Sequence, residues 1–268
     1  MTFSKPDTAR LFRSLHTPEA PLALANAWDV ASARVIEAAG APAIATTSAG
    51  VAWSLGAPDG DRLARDRALD VVARIVAAVS VPVTADIEGG YAEHAAGVAG
   101  TVAGVLDAGA VGINIEDGTR PPAELAERVA VARRQSADLF INARVDTYLF
   151  GLGDPGTRLE ETLARAHRYL DAGADGVFVP GVTDPETVAA LADAVPAPLN
   201  VMAAPGAPTV AELGRLGVSR VSLGSGVAQS AYAAARRAAL DLYADGGCSS
   251  LADALPFPEL NGLLHEGR

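Results

Sequence analysis

Ala108-Gly109-Ala110-Val111-Gly112-Ile113-Asn114-Ile115-Glu116-Asp117 condenses the repeating unit of this chain into one stretch. Its Ala-Gly-Ala opening ends a stretch of helical spacing at 93–108, because glycine takes the positive φ that stops a helix and turns the chain. The run Val111–Ile115 that follows reads as a strand. It is continuously apolar instead of alternating, which marks a strand buried on both faces, as parallel strands covered by helices are. The run closes on two carboxylates, Glu116 and Asp117.

The same unit recurs along the chain. Ala39-Gly40-Ala41, Ala172-Gly173-Ala174 and Leu216-Gly217-Val218 repeat the helix-to-strand turn. Eight apolar runs are expected as strands: Leu22–Ala25, Ala43–Thr46, Val81–Ala85, Val111–Ile115, Leu139–Ala143, Gly176–Val179, Leu199–Met202 and Arg220–Leu223. Between them, apolar residues three or four apart predict helices at 31–39, 63–78, 93–108, 122–135, 157–172, 185–194, 209–216 and 229–245. Eight strand–helix units favour an α/β fold of the (β/α)8 TIM-barrel type over an open doubly wound sheet. Residues 1–245 are expected to form one catalytic barrel domain. Residues 246–268, opening on Gly246-Gly247 and carrying Pro256 and Pro258, are expected to form a C-terminal arm packed on the barrel or on a neighbouring subunit.

Composition narrows the function. With 21 basic and 32 acidic residues the net charge is -11, so no broad positive field attracts nucleic acid or an anionic membrane. An anionic substrate would have to be held locally, by a metal, an arginine and backbone N–H groups. The single cysteine, Cys248, permits neither an intrachain disulfide nor a multi-cysteine metal site, which suits a reducing compartment. Residues 1–15 carry Lys5, Asp7, Arg10 and Arg13 and lack the apolar core of a secretion signal, and no stretch is apolar for long enough to span a bilayer. A cytoplasmic location is expected.

Chemistry in a barrel belongs at the C-terminal ends of the strands. Three successive runs end in charge: Thr84-Ala85-Asp86-Ile87-Glu88-Gly89-Gly90-Tyr91, Asn114-Ile115-Glu116-Asp117 and Asn142-Ala143-Arg144-Val145-Asp146. A lone acid at such a place would be a helix cap. Asp86, Glu88 and Glu116 around one mouth repel one another unless a cation lies between them, and Mg2+ (or Mn2+) suits such oxygen donors. Arg144 offers a planar fork for a substrate carboxylate or a developing enolate oxygen. Asp117 and Asp146 are expected to support these groups from behind. Ser48-Ala49-Gly50 reads either as a backbone clasp for a carboxylate or as an ordinary tight turn, and Asp59 either as a turn residue or as a group reaching the mouth.

Taken together these residues resemble the isocitrate lyase/phosphoenolpyruvate mutase superfamily. The resemblance runs from Asn26-Ala27-Trp28-Asp29 to Leu223-Gly224-Ser225 and is most specific at Ser48-Ala49-Gly50, Leu55-Gly56-Ala57-Pro58-Asp59, Asp86–Tyr91, Ile115-Glu116-Asp117 and Asn142-Ala143-Arg144. It implies a barrel whose last helix is exchanged between subunits of a homodimer or homotetramer. It implies Mg2+ or Mn2+ bound largely through Asp86, with Glu88 and Glu116 acting through waters. Ser48, Ala49 and Gly50 would hold a substrate carboxylate alongside Asp86, while Asp59, Arg144 and Glu116 would serve catalysis. Members of the superfamily act on 2-oxo acids, making or breaking a C–C or P–C bond beside the carbonyl through an enolate.

Departures from the pattern refine the expected reaction. The lyases carry a Lys-(Lys/Arg)-Cys-Gly-His segment soon after the position of Glu116, whereas this chain reads Asp117-Gly118-Thr119-Arg120-Pro121-Pro122. Cys248 is remote, and the Lys and Asn of the phosphonopyruvate-forming mutases are also missing. His94 is either an acid–base group or an exposed helix residue. The leading expectation is a metal-dependent, oxaloacetate-decarboxylase-like C–C cleavage of a small 2-oxo acid. The alternatives are phosphonopyruvate-type P–C chemistry, 2-methylisocitrate-type cleavage despite the missing cysteine, and a non-catalytic 2-oxo acid binder.

Overall fold

The computed structural model of the chain describes residues 5–265. Its elements follow in the order α1 (Lys5–Ser14), β1 (Leu22–Leu24), β2 (Asn26–Ala27), α2 (Val30–Ala38), β3 (Ile44–Thr46), α3 (Ser48–Ser54), α4 (Arg65–Ala78), β4 (Val83–Asp86), α5 (Val98–Ala108) and β5 (Gly112–Glu116). There follow α6 (Pro122–Gln135), β6 (Phe140–Arg144), α7 (Arg158–Asp171), β7 (Gly176–Val179), α8 (Pro185–Ala194), β8 (Leu199–Met202), α9 (Val210–Arg215), β9 (Arg220–Ser222), α10 (Gly226–Asp245) and α11 (Phe257–His265).

Every strand ladder is parallel, and the order β1-β9-β8-β7-β6-β5-β4-β3-β2 bends into a nearly closed TIM-type barrel. The first expected strand ends at Leu24, and a two-residue strand beyond the expected run follows it, so that β1 pairs with β9 (Leu22↔Arg220) while β2 pairs with β3 (Asn26↔Ala45). That additional segment brings the eight expected strands to nine. Helix ends carry the expected signals. Gly109 caps α5 at φ 93°, Pro122 and Pro185 begin α6 and α8, and Asp29 and Thr209 close capping boxes on α2 and α9.

Apolar side chains such as Ile75, Val102, Ile113 and Leu125 fill the layer between strands and helices. A second cluster sits inside the barrel, where Phe12 of α1 joins Leu22, Leu24 and Phe140. Phe12 meets Phe140 edge-on at 5.6 Å, and His16 stacks on Phe140 at 4.1 Å. Burial, reinforced by the charge of Arg220, holds the His16 pKa down to about 3, so the ring is neutral. Deeper in, Asn142 Nδ2 spans from Asn114 Oδ1 (3.0 Å) to Asn200 Oδ1 (3.1 Å), and the fully buried Arg220 donates to Asn114 Oδ1 at 3.2 Å. A polar layer thus crosses the barrel beneath the strand ends.

The C-terminal region leaves the barrel. Of the twenty residues of α10 only Ala228 is buried, and α11 returns to α2, where Arg34 Nε donates to the Leu263 carbonyl at 2.8 Å. Between α2 and α9, over β1 and β9, lies an apolar groove lined by Ala23, Ile36, Pro42, Val210, Val221 and Leu223. Among the described residues no helix is long and apolar enough to cross a membrane.

Candidate active site

Parallel pairing of β3 with β4 (Ala45↔Thr84) sets the start of α3 beside the end of β4. Asp86 is gripped there. Thr46 Oγ1 accepts its amide at 2.8 Å, and the Ser48 amide (3.0 Å) and hydroxyl (2.8 Å) both donate to its Oδ2. The Ser48-Ala49-Gly50 segment is therefore the first turn of a helix instead of a tight turn, and Ser48 is committed to Asp86. Gly50 serves packing: a Cβ there would lie 2.8 Å from Thr47 Cγ2 and 2.8 Å from Trp28 Cβ.

In the next pair of strands Glu116 of β5 stands opposite Arg144 of β6. Arg144 Nη1 reaches Glu116 Oε2 at 2.5 Å, and its Nε donates to Asp146 Oδ1 at 2.7 Å. Asp146 also accepts the Gly118 amide at 3.0 Å. Asp117, fully buried, accepts the Asp146 amide (2.9 Å), Arg165 Nη1 (2.9 Å) and the Tyr169 hydroxyl (2.7 Å). Asp117 and Asp146 thus brace Arg144 from behind, as expected of them. Burial pushes Glu116 up to about 8 against the pull of Arg144, and Asp86, Asp146 and Glu88 add to the rise. Burial opposes the charge of Arg144, yet Glu116, Asp146 and Asp86 together raise its pKa.

Glu88 is 1% exposed and sits at φ 52°, in the left-handed region. Its Oε2 accepts the Asp61 amide, while Oε1 is buried without a hydrogen-bond partner. Burial is the main reason its pKa rises to about 7; the Asp61 amide opposes the shift, and Asp59 and Asp86 add to it. Asp59 belongs to this group: desolvation and the Asp86 charge raise its pKa, while the Gly60 amide, Arg144 and Ser48 pull the other way. It reaches the mouth although its residue is exposed.

Among the described residues no three His, Cys, Asp or Glu side chains enclose a point closely enough to hold an ion directly. Asp86 instead raises the pKa of both Glu88 and Glu116, and Glu88 adds to the rise at Glu116. Crowded carboxylates of this kind, one with an orphaned buried oxygen, fit a hard divalent ion taken by one carboxylate and by waters held on the others. His94 lies outside this group; it precedes the helical turn instead of lying within a helix, and its side chain is 83% exposed. Cys248 is exposed in the C-terminal turn.

Two residues of the site carried no sequence signal. Asp61 sits at φ 56° and touches Glu88, Tyr91 and Arg120, and Arg120 comes from the loop that follows β5. Neither a left-handed aspartate nor its ion pair across two loops can be read from spacing.

The chain is 42% identical to an uncharacterized protein of Mycobacterium tuberculosis (strain H37Rv) over 94% of its own length and 95% of the other's. It is 33% identical to 2-methylisocitrate lyase of Escherichia coli (74% and 70% covered) and 32% identical to oxaloacetate decarboxylase of Paraburkholderia xenovorans (73% and 69% covered). A solved structure of phosphonopyruvate hydrolase in complex with oxalate and Mg2+ superposes with a TM-score of 0.84 at 26% identity, over 98% of this chain and 96% of that one. The model of the phosphoenolpyruvate phosphomutase family matches residues 12–243. Matched family and barrel agree, and the chain belongs to the phosphoenolpyruvate phosphomutase family, within the isocitrate lyase/PEP mutase superfamily.

Proposed function

We propose that this protein is a divalent-metal-dependent enzyme that cleaves a C–C bond beside the carbonyl of a small 2-oxo acid, with oxaloacetate decarboxylation as the leading reaction. The supporting observation is the convergence of Asp86, Glu88 and Glu116 beside Arg144 at the mouth, where Asp86 raises the pKa of the other two acids. Asp86 would hold Mg2+ or Mn2+ directly, and Glu88 and Glu116 would hold its waters. The bound ion would supply a Lewis acid that draws charge from the substrate carbonyl.

The protein's own residues have separable tasks in this reading. The amides of Ala49 and Gly50 in the first turn of α3 would hold the substrate carboxylate, while Ser48, engaged by Asp86, would fix that turn in place instead of contacting substrate as expected. Arg144, fixed by Glu116 and Asp146, would orient its fork toward the oxygen on which charge grows as the bond breaks. In decarboxylation the C–C bonding pair passes toward the carbonyl and carbon dioxide departs. A proton from solvent then completes carbon 3. Asp59 would stand near the reacting end. The short loop Asp117–Pro122 offers no thiol or imidazole, which favours decarboxylation over chemistry that needs a dedicated acid.

The test is a panel of 2-oxo acids with Mg2+. Release of carbon dioxide from oxaloacetate supports the reading. Phosphate released from phosphonopyruvate, or succinate formed from 2-methylisocitrate, would replace it with the corresponding alternative. Metal-linked binding without turnover would leave only a binder.

We also propose that a second copy of the chain covers the groove between α2 and α9 with its α10. That helix buries a single residue of its own, while Leu240, Leu242 and Tyr243 are exposed. The uncovered groove and the uncommitted helix are complementary in being apolar.

A further inference from the structure

We propose that Asp61 and Arg120 are positioning residues that lock the Glu88 carboxylate toward the cation; the inference rests on the metal-binding reading above. Among the described residues, the non-glycine residues at positive φ are Asp61 (56°), Glu88 (52°) and Tyr91 (48°). Such conformations persist only where the surroundings hold them. These three are joined to one another. The Asp61 amide donates to Glu88 Oε2, and Asp61 Oδ1 accepts the Tyr91 amide at 3.3 Å. Asp61 Oδ2 is held by Arg120 Nη2 at 2.5 Å. One aspartate therefore ties together the loop before α4, the loop after β4 and the loop after β5.

The division of labour between two arginines sharpens the assignment. Arg128, 1% exposed, donates to the carbonyls of Gly89 (2.6 Å), Ala92 (2.9 Å) and Glu93 (3.0 Å) and so fixes the backbone of the loop after β4. Arg120 makes no such backbone bond to that loop. Its guanidinium lies against Gly89, where an added Cβ would fall 2.5 Å from Nη1 and Nη2. Gly89 is not at positive φ, so a bare Cα is required there for space and not for conformation. Arg120 is thereby seated where it can hold Asp61, whose amide takes Glu88 Oε2 and leaves Oε1 without a protein partner. That single free oxygen is the one the lock would present to the ion's water.

Hydrogen exchange of the metal-free protein and Mn2+ binding followed by electron paramagnetic resonance without substrate test the lock. In Arg120→Ala the amides of Asp61 and Tyr91 should exchange about tenfold faster while those of β4 are unchanged. Mn2+ affinity should fall about tenfold, the usual effect of losing a group that orients a ligand. Asp61→Asn keeps an acceptor for Tyr91 but loses the charge, and should lose Mn2+ affinity likewise. Gly89→Ala, whose methyl displaces Arg120, should match Arg120→Ala and add nothing in the double variant. Unchanged exchange, or faster exchange with unchanged Mn2+ affinity in all three single variants, overturns the lock. If wild-type protein takes up no Mn2+, the metal reading falls, and the exchange rates alone then decide whether Asp61 and Arg120 position Glu88.

Discussion

Glu88 carries a proton problem that a cation would solve. Its pKa is about 7 in the folded chain against an ordinary 4.5, so the folded metal-free protein retains a proton that the unfolded chain gives up. The stability from this group is complete below pH 4.5 and is lost as pH rises through 7. Metal uptake between those limits should therefore release a proton, visible as a heat that depends on the ionisation enthalpy of the buffer. Glu88→Gln should remove that component, and an identical buffer dependence in the variant would contradict the assignment. Arg144 makes a separate prediction. Arg144→Ala leaves the fully buried Asp146 and the shielded Glu116 without their cation, and should cost about 3–5 kcal/mol in urea unfolding besides activity. Arg144→Lys should recover part of the stability but little turnover, because an ammonium cannot replace the planar fork.

The elements show which parts of the fold could be read and which could not. Pro122–Gln135 and Pro185–Ala194 coincide with their expected spans because proline at the first helical position fixes where each begins. Helix α3 was hidden. Its seven residues are too few to display a helical period, its first turn is small residues, and Thr47 gives no side-chain cap. Helix α1 was hidden for another reason: its buried face rests on Phe12, and its charged face resembles any solvated N-terminal stretch. The three acidic and basic strand ends were legible because charge after a two-sided apolar run is conspicuous. Asp61 and the barrel-crossing Asn114, Asn142 and Asn200 were not, since their partners lie far away in sequence. His16, just beyond α1, makes the packing of this helix testable. Its pKa is about 3 in the folded state and 6.5 when free, so the stability it contributes is full above pH 6.5 and is lost as pH falls toward 3. Relative to His16→Phe, the wild type should lose about 1.4 kcal/mol per pH unit across that window. Parallel stability curves would show that the plug is not neutral histidine.

For the whole molecule, the repeating helix–glycine–strand phrase carried the barrel, because each repeat is one parallel step and eight such steps bring the last strand round to the first. What the repeat could not reveal is the apolar groove over β1 and β9 and the outward course of α10. Tyr243 is 82% exposed and Leu240 61%, so Leu240→Asp with Tyr243→Asp should convert an assembled wild type into monomers in sedimentation velocity. A monomeric wild type would remove the second copy from the account. The proposed chemistry depends on Asp86 gathering a divalent ion and a keto acid at one mouth. Calorimetric titration of oxalate into protein with Mn2+ measures that directly: wild-type protein should bind oxalate only when Mn2+ is present, and folded Asp86→Asn should bind neither. Oxalate binding by wild type that is indifferent to Mn2+, or unimpaired in Asp86→Asn, would contradict it.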